Sequence, residues 1–224
     1  MPTSWFLIAL ANAFSAANAI GLAALIGWSA HCAAEPVDPG PVRVGDRWSY
    51  DVKDGATGDL KHSVAIVVIE VNDKEITTRH TLRGMNRYQT VVHNRQWGVI
   101  DNGVMQFQPS GFGIRSPLQV GKQWRSDANV KNLSSGATMR SSAVLKVLGQ
   151  EQVTTGGGTF DTYRIEVNER QLDTKDQTKA YMVTHVIWYA PSVNRWVKST
   201  YEGRSEGRVR DSSLHELTEY SREP

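Results

Sequence analysis

Pro41-Val42-Arg43-Val44-Gly45-Asp46-Arg47-Trp48, with Asp51 after it, returns as Pro117-Leu118-Gln119-Val120-Gly121-Lys122-Gln123-Trp124, with Asp127 after it. The shared pattern is P-φ-x-V-G-x-x-W-x-x-D at an offset of 76 residues, from 41 to 117. Each part has a physical job. Proline opens a segment without needing a ladder partner. Gly45 and Gly121 permit a turn at positive φ. Trp48 and Trp124 then fall in the first strand of each copy, where one indole buries a large apolar area. A tryptophan lining a ligand cavity is the alternative, and core packing is the preferred reading. Two shorter matches follow: Gly55-Ala56-Thr57 with Gly136-Ala137-Thr138, and Asn94-Arg95 before Trp97 with Asn194-Arg195 before Trp196. Their offsets grow, as they would if the second copy were longer. Two copies are too few for a solenoid.

Around these openings the periodicity is that of strands. β-Branched and aromatic runs at 64–71, 76–82, 88–92, 143–148, 160–167, 181–189 and 196–201 are bounded by Gly, Asn, Asp and Ser. Tyr163, Ile165 and Val167 alternate with Arg164, Glu166 and Asn168. That alternation means one buried and one solvated face, as in antiparallel sheets. Turns are marked at Asp54-Gly55, Asn72-Asp73, Asp101-Asn102-Gly103 and Gly156-Gly157-Gly158. The expected fold class is all-β: an antiparallel, strongly curved sheet, an open or half barrel. Two repeated β-meander halves, about 41–114 and 117–221, would build a single domain over 44–224. A linker at 35–43, rich in proline, leads into it.

The first 34 residues hold no Lys, Arg, Asp or Glu. An apolar run at 16–30 and the small residues around Cys32-Ala33-Ala34 have the layout of a secretory signal helix cleaved after Ala34, although no cationic stretch precedes the apolar run. Retention as an anchor is the alternative, disfavoured because the run is short of the roughly 20 residues a span needs. Cys32 is the sole cysteine, and His31 before it does not suit lipidation. Cleavage would leave no cysteine, which excludes thiol chemistry and cysteine-held metals. The expected location is the periplasm or cell envelope, with membrane contact only through an uncleaved leader.

The ordered set Pro117-Leu118-x-Val120-Gly121-Lys122-x-Trp124, Val147-Leu148-Gly149-x-Glu151-x-Val153, Gly158-Thr159-Phe160-Asp161-Thr162-Tyr163-x-Ile165 and Trp188-Tyr189-Ala190-Pro191-Ser192-Val193-x-Arg195-x-Val197-Lys198 resembles the TapB-like exported bacterial β-proteins of unknown function. The resemblance implies an outline similar to lipoprotein-carrier half-barrels, with a concave apolar face. It carries over no catalytic residue.

The remaining residues point away from chemistry. His62, His80, His93, His185 and His215 lie at no chelating spacing. No G-x-S-x-G elbow occurs, and Ser110-Gly111-Phe112-Gly113 and Gly156-Gly157-Gly158 lack the lysine and helix of a phosphate loop. Asp161 reads as a turn or strand-start cap. Net charge is +2, and the arginines from Arg204 to Arg210 are interleaved with Glu202, Glu206 and Asp211, which argues against nucleic acid. No catalytic, cofactor-binding or metal residue is therefore assigned, no cofactor is expected, and ligand-binding residues are left unknown. The leading expectation is a non-enzymatic binding module for an apolar small molecule or lipid. An envelope protein–protein assembly module working by strand addition comes second, and an enzyme with a site gathered from distant residues third.

Overall fold

The computed structural model describes residues 40–222. The signal helix, its cleavage point and Cys32 lie outside the described residues. Twelve strands follow in order: β1 (Arg47–Asp54), β2 (Leu60–Val71), β3 (Glu75–Leu82), β4 (Tyr88–Asn94), β5 (Val99–Asp101), β6 (Met105–Gln108), β7 (Gln123–Asn132), β8 (Thr138–Thr155), β9 (Gly158–Asp173), β10 (Ala180–Ala190), β11 (Arg195–Ser205) and β12 (Arg208–Ser221). Among the described residues the only helical element is a 3-10 turn, Pro191–Val193.

Each strand pairs antiparallel with its chain neighbour, and β1 also pairs with β12 from Arg47 opposite Ser221 to Asp54 opposite Ser213. That last ladder closes the sheet into a barrel. The expectation of an open or half barrel is thus corrected. Its source is β12, where Leu217 is the one fully buried side chain, so no apolar alternation marks the strand that seals the wall. β5 and β6, of three and four residues, are too short to stand out as strand runs.

The turns are chemical. Asp54, Asn72, Asn102, Asn132 and Asp173 each accept, on one side-chain oxygen, two backbone N–H groups two and three residues on. Such Asx turns pre-form the hairpin without tertiary help.

The two opening segments have matching backbone bonding. Gly45 (φ 92°) donates to Val68 O and Val68 donates to Asp46 O, both at 2.9 Å. Gly121 (φ 86°) donates to Val147 O and Val147 donates to Lys122 O, again at 2.9 Å. The register slips just beyond each contact, between Val68 and Glu70 and between Val147 and Gly149. Bulges there bend the strand and increase its twist, which helps a sheet to close.

Two core clusters fill much of the interior. One gathers around Trp48, Ile66, Val68, Ile76, Trp97 and Leu217, the other around Leu118, Trp124, Leu145, Val147, Tyr163 and Ile165. Trp196 packs against both. The indole N–H of Trp48 donates to Val193 O at 3.0 Å and that of Trp124 to Gly113 O at 3.1 Å. Val42 is buried in the first cluster, so the end of the linker segment is built into the barrel.

Candidate functional site

The inward-facing positions of β1 to β4 do not fill their side of the barrel. They surround a cavity of about 660 Å³, within the range of small-molecule sites. Period-two alternation places Tyr50 and Val52, then His62, Val64 and Ile66, then His80 and Leu82, then Val91 and His93 on its wall. Arg195, Trp196 and His215 line it from β11 and β12. Met85, Arg87, Tyr88 and Gln89 belong to the β3–β4 hairpin and are exposed, so they form the mouth. The wall is thinnest beside that mouth. β4 meets β5 only at Val92 and His93, and β5 meets β6 through a single pair, Asp101 with Gln106. The Tyr88–Val91 stretch of β4 therefore has no ladder partner on that side.

Two polar features stand on the apolar floor. In the first, Thr78 Oγ1 lies 3.0 Å from His80 Nε2, 3.2 Å from His93 Nε2 and 3.2 Å from Val91 O. His93 Nδ1 lies 3.3 Å from Trp97 O, which only a protonated Nδ1 can satisfy. One assignment satisfies both imidazoles in their neutral form. His93 Nδ1–H donates to Trp97 O, the Thr78 hydroxyl donates to His93 Nε2, and His80 Nε2–H donates to the Thr78 oxygen. Both rings are neutral in this arrangement. Burial, with the Arg195 charge adding to it, pushes both imidazoles down to about 3.

The second feature is Arg195, 1% exposed. Its guanidinium carbon lies 4.0 Å from the Trp196 ring centroid, 4.4 Å from that of Trp97 and 5.2 Å from that of Trp48. The Tyr50 hydroxyl faces it and donates to Trp196 O at 2.8 Å. No carboxylate pairs with Arg195 among the described residues. Its Nε and Nη1 are buried without a hydrogen-bond partner. Each indole face offers about 0.5–2 kcal/mol toward the charge. Stacking does nothing for the two N–H-bearing nitrogens, whose desolvation costs about 1–3 kcal/mol each when unmet.

The remaining histidines separate by place. His62 lies at the exposed end of the cavity wall, and His215 bonds with Ser213 Oγ at 3.1 Å. His185 is not among the cavity lining; it lies edge-on to Phe112 and Tyr201, and burial, with His215 adding to it, pushes it down to about 4. Three or more His, Cys, Asp or Glu never converge as a metal site among the described residues. Asp161 accepts from Gln152 Nε2 at 3.2 Å on an exposed hairpin. Ser110-Gly111-Phe112-Gly113 is packing chemistry: a Cβ on Gly113 would sit 2.6 Å from Gln96 O, and Phe112 packs on the second cluster. The sequence reading passed over Arg195 as a site residue and did not pair His80 with His93. The available signal was polar residues at inward positions of apolar strands, Thr78-x-His80-x-Leu82 and Val91-x-His93, and an arginine between Asn194 and Trp196.

A closed antiparallel barrel with a ligand-sized cavity among its described residues is the class that these features define. A Bacteroides fragilis protein described as exported and as having a YmcC-like fold has a similar crystal structure, with a TM-score of 0.53 at 11% identity over 82% of this chain and 99% of that one. A Parabacteroides distasonis protein described as a lipoprotein gives a TM-score of 0.49 at 14% identity over 81% of this chain and 97% of that one. Shared fold is all that such identities establish. No family model matches the chain, and no curated protein matches it in sequence, so the TapB-like motifs find no counterpart there.

Proposed function

We propose that this chain is an exported cell-envelope protein that holds an apolar, lipid-like ligand inside its barrel. The observation that carries the reading is the cavity of about 660 Å³ walled by Val52, Val64, Ile66, Leu82 and Val91. Its mouth supports it too, since Met85 is 49% and Tyr88 63% exposed where an apolar ligand would enter. Export is supported by the charge-free first 34 residues and by the description of the Bacteroides fragilis neighbour as exported. Binding is favoured over catalysis because the floor histidines are bonded to Thr78 and to Trp97 O rather than poised toward a reactant.

Mass spectrometry of solvent extracts from natively purified protein tests the reading, with displacement of an environment-sensitive apolar dye as a second measure. Neither a co-purifying ligand nor any dye uptake would end it. N-terminal sequencing of protein recovered from the envelope fraction tests export, with Glu35 as the expected first residue. An assembly role by strand addition would be confined to the Tyr88–Val91 stretch of β4, because the strands otherwise have neighbours on both sides in the closed barrel.

A further inference from the structure

We infer that the ligand of this cavity is an anionic amphiphile, an acyl chain ending in a carboxylate, whose head group is received at the cavity floor by Arg195. The inference rests on the apolar-ligand reading and adds the head-group chemistry to it.

Three observations converge. The cavity wall carries two arginines, Arg195 at the floor and Arg87 at the mouth, and no Asp or Glu among its described lining residues. Arg195 is a buried cation without a protein carboxylate, and two of its nitrogens lack partners. The polar neighbours His80 and His93 are neutral and committed to Thr78, so they neither compete for an anion nor compensate the charge. A guanidinium presents its donors as a planar fork that matches a carboxylate. The Trp97 and Trp196 rings hold that guanidinium in place, their centroids 4.4 and 4.0 Å from its carbon. An oxygen arriving from the cavity can be met by one of the two unpartnered N–H-bearing nitrogens, Nε or Nη1, which lie on different edges of the guanidinium. The apolar wall between mouth and floor then takes the chain. A core arginine that only glues three tryptophans would need no cavity beside it and would gain nothing from an anion.

The test uses the full mature chain at neutral pH. Binding is followed by the fluorescence of the indoles around Arg195, with calorimetry alongside. The probes are a long-chain fatty acid, its methyl ester, acetate and inorganic phosphate. The expected result is saturable binding of the acid, at least about tenfold tighter than the ester, a difference of about 1.4 kcal/mol. Acetate and phosphate, which lack a chain, should bind at least about a hundredfold more weakly. In Arg195→Met the acid and ester should become equal. Because that variant can fail to fold, the acid-to-ester ratio on the unaltered protein decides. Equal affinities there would overturn the anionic head group and leave the apolar ligand standing. Tight phosphate or acetate binding would overturn the amphiphile in favour of a small anion. Binding of none of the four would overturn both this inference and the apolar-ligand reading.

Discussion

Acid should loosen this barrel through the histidine pair on the cavity floor. His80 and His93 ionise near 6.5 in an unfolded chain and at about 3 in the barrel. Between those values the unfolded state binds more protons, so stability falls as pH drops through 6.5 and goes on falling toward 3. From pH 7 to pH 5 a histidine with that shift costs about 2 kcal/mol. His93 is 3% exposed and takes the full figure, whereas half-buried His80 is discounted to about 1 kcal/mol for solvent screening. Together that is about 3 kcal/mol, against a typical domain stability of about 5–15 kcal/mol. The first proton has a route of accommodation. Thr78 can turn its hydrogen to Val91 O, 3.2 Å away, and accept from both imidazoles. The second proton has none, and it faces Arg195 as well. Urea unfolding at pH 7, 6 and 5 should therefore show a falling midpoint in the unaltered protein. The fall should shrink by about 3 kcal/mol in the His80→Gln, His93→Gln double variant. His185, held at about 4, and His215, also lowered by burial, remain in both and supply the residual slope. Parallel losses in the two proteins would refute the assignment of neutral, Thr78-bonded rings.

Three further outcomes follow from the packing. Asp46 is fully buried and is gripped by Arg222 at 2.6 and 2.9 Å, so Arg222→Ala should cost about 2 kcal/mol in a chemical melt, less than a wholly buried pair because Arg222 is partly exposed. Gly45→Ala and Gly121→Ala force Cβ into the left-handed region at φ 92° and 86° and should each lower stability by about 1–2 kcal/mol. Their effects should add to within about 0.5 kcal/mol in the double variant, because the two turns abut different core clusters. Val91→Phe should fill part of the cavity, cutting dye uptake while changing stability by no more than about 1 kcal/mol, since the added ring enters open space.

The wall of the barrel was readable in the sequence and its closure was not. The runs at 64–71, 160–167 and 181–189 all fall inside strands because alternation and Asx turns are local signals. Closure depends on Arg47 meeting Ser221, a pairing across the whole length of the domain made by a strand whose sequence, Arg208–Ser221, is mostly polar. Backbone hydrogen bonds supply that ladder, and they leave no apolar trace. The site was hidden for a related reason. Arg195, His80 and His93 are separated by up to 115 positions, from 80 to 195, and share a floor only once β3, β4 and β11 curve around it. Each alone looks like an ordinary strand residue.

The asymmetry between the two sides of the barrel says what makes a cavity here. After the two openings, the strands pair alike. Trp48, Tyr50 and Val52 oppose Ile66, Val64 and His62, and Trp124, Ser126 and Ala128 oppose Leu145, Ala143 and Ser141. The second wall has the smaller side chains, yet it is the side that is filled. Phe112 and Ile114 enter it from the segment between β6 and β7 and join the cluster that holds Tyr163 and Tyr189. On the first side the wall side chains are larger, but the β3–β4 hairpin stays at the mouth with Met85 exposed and sends nothing inward. Wall residue size alone would have placed the void on the wrong side. The loops decide which side is occupied. A barrel with a self-filled half and an unfilled half retains a rigid core while keeping a chamber whose floor charge, Arg195, has no carboxylate partner among the described residues.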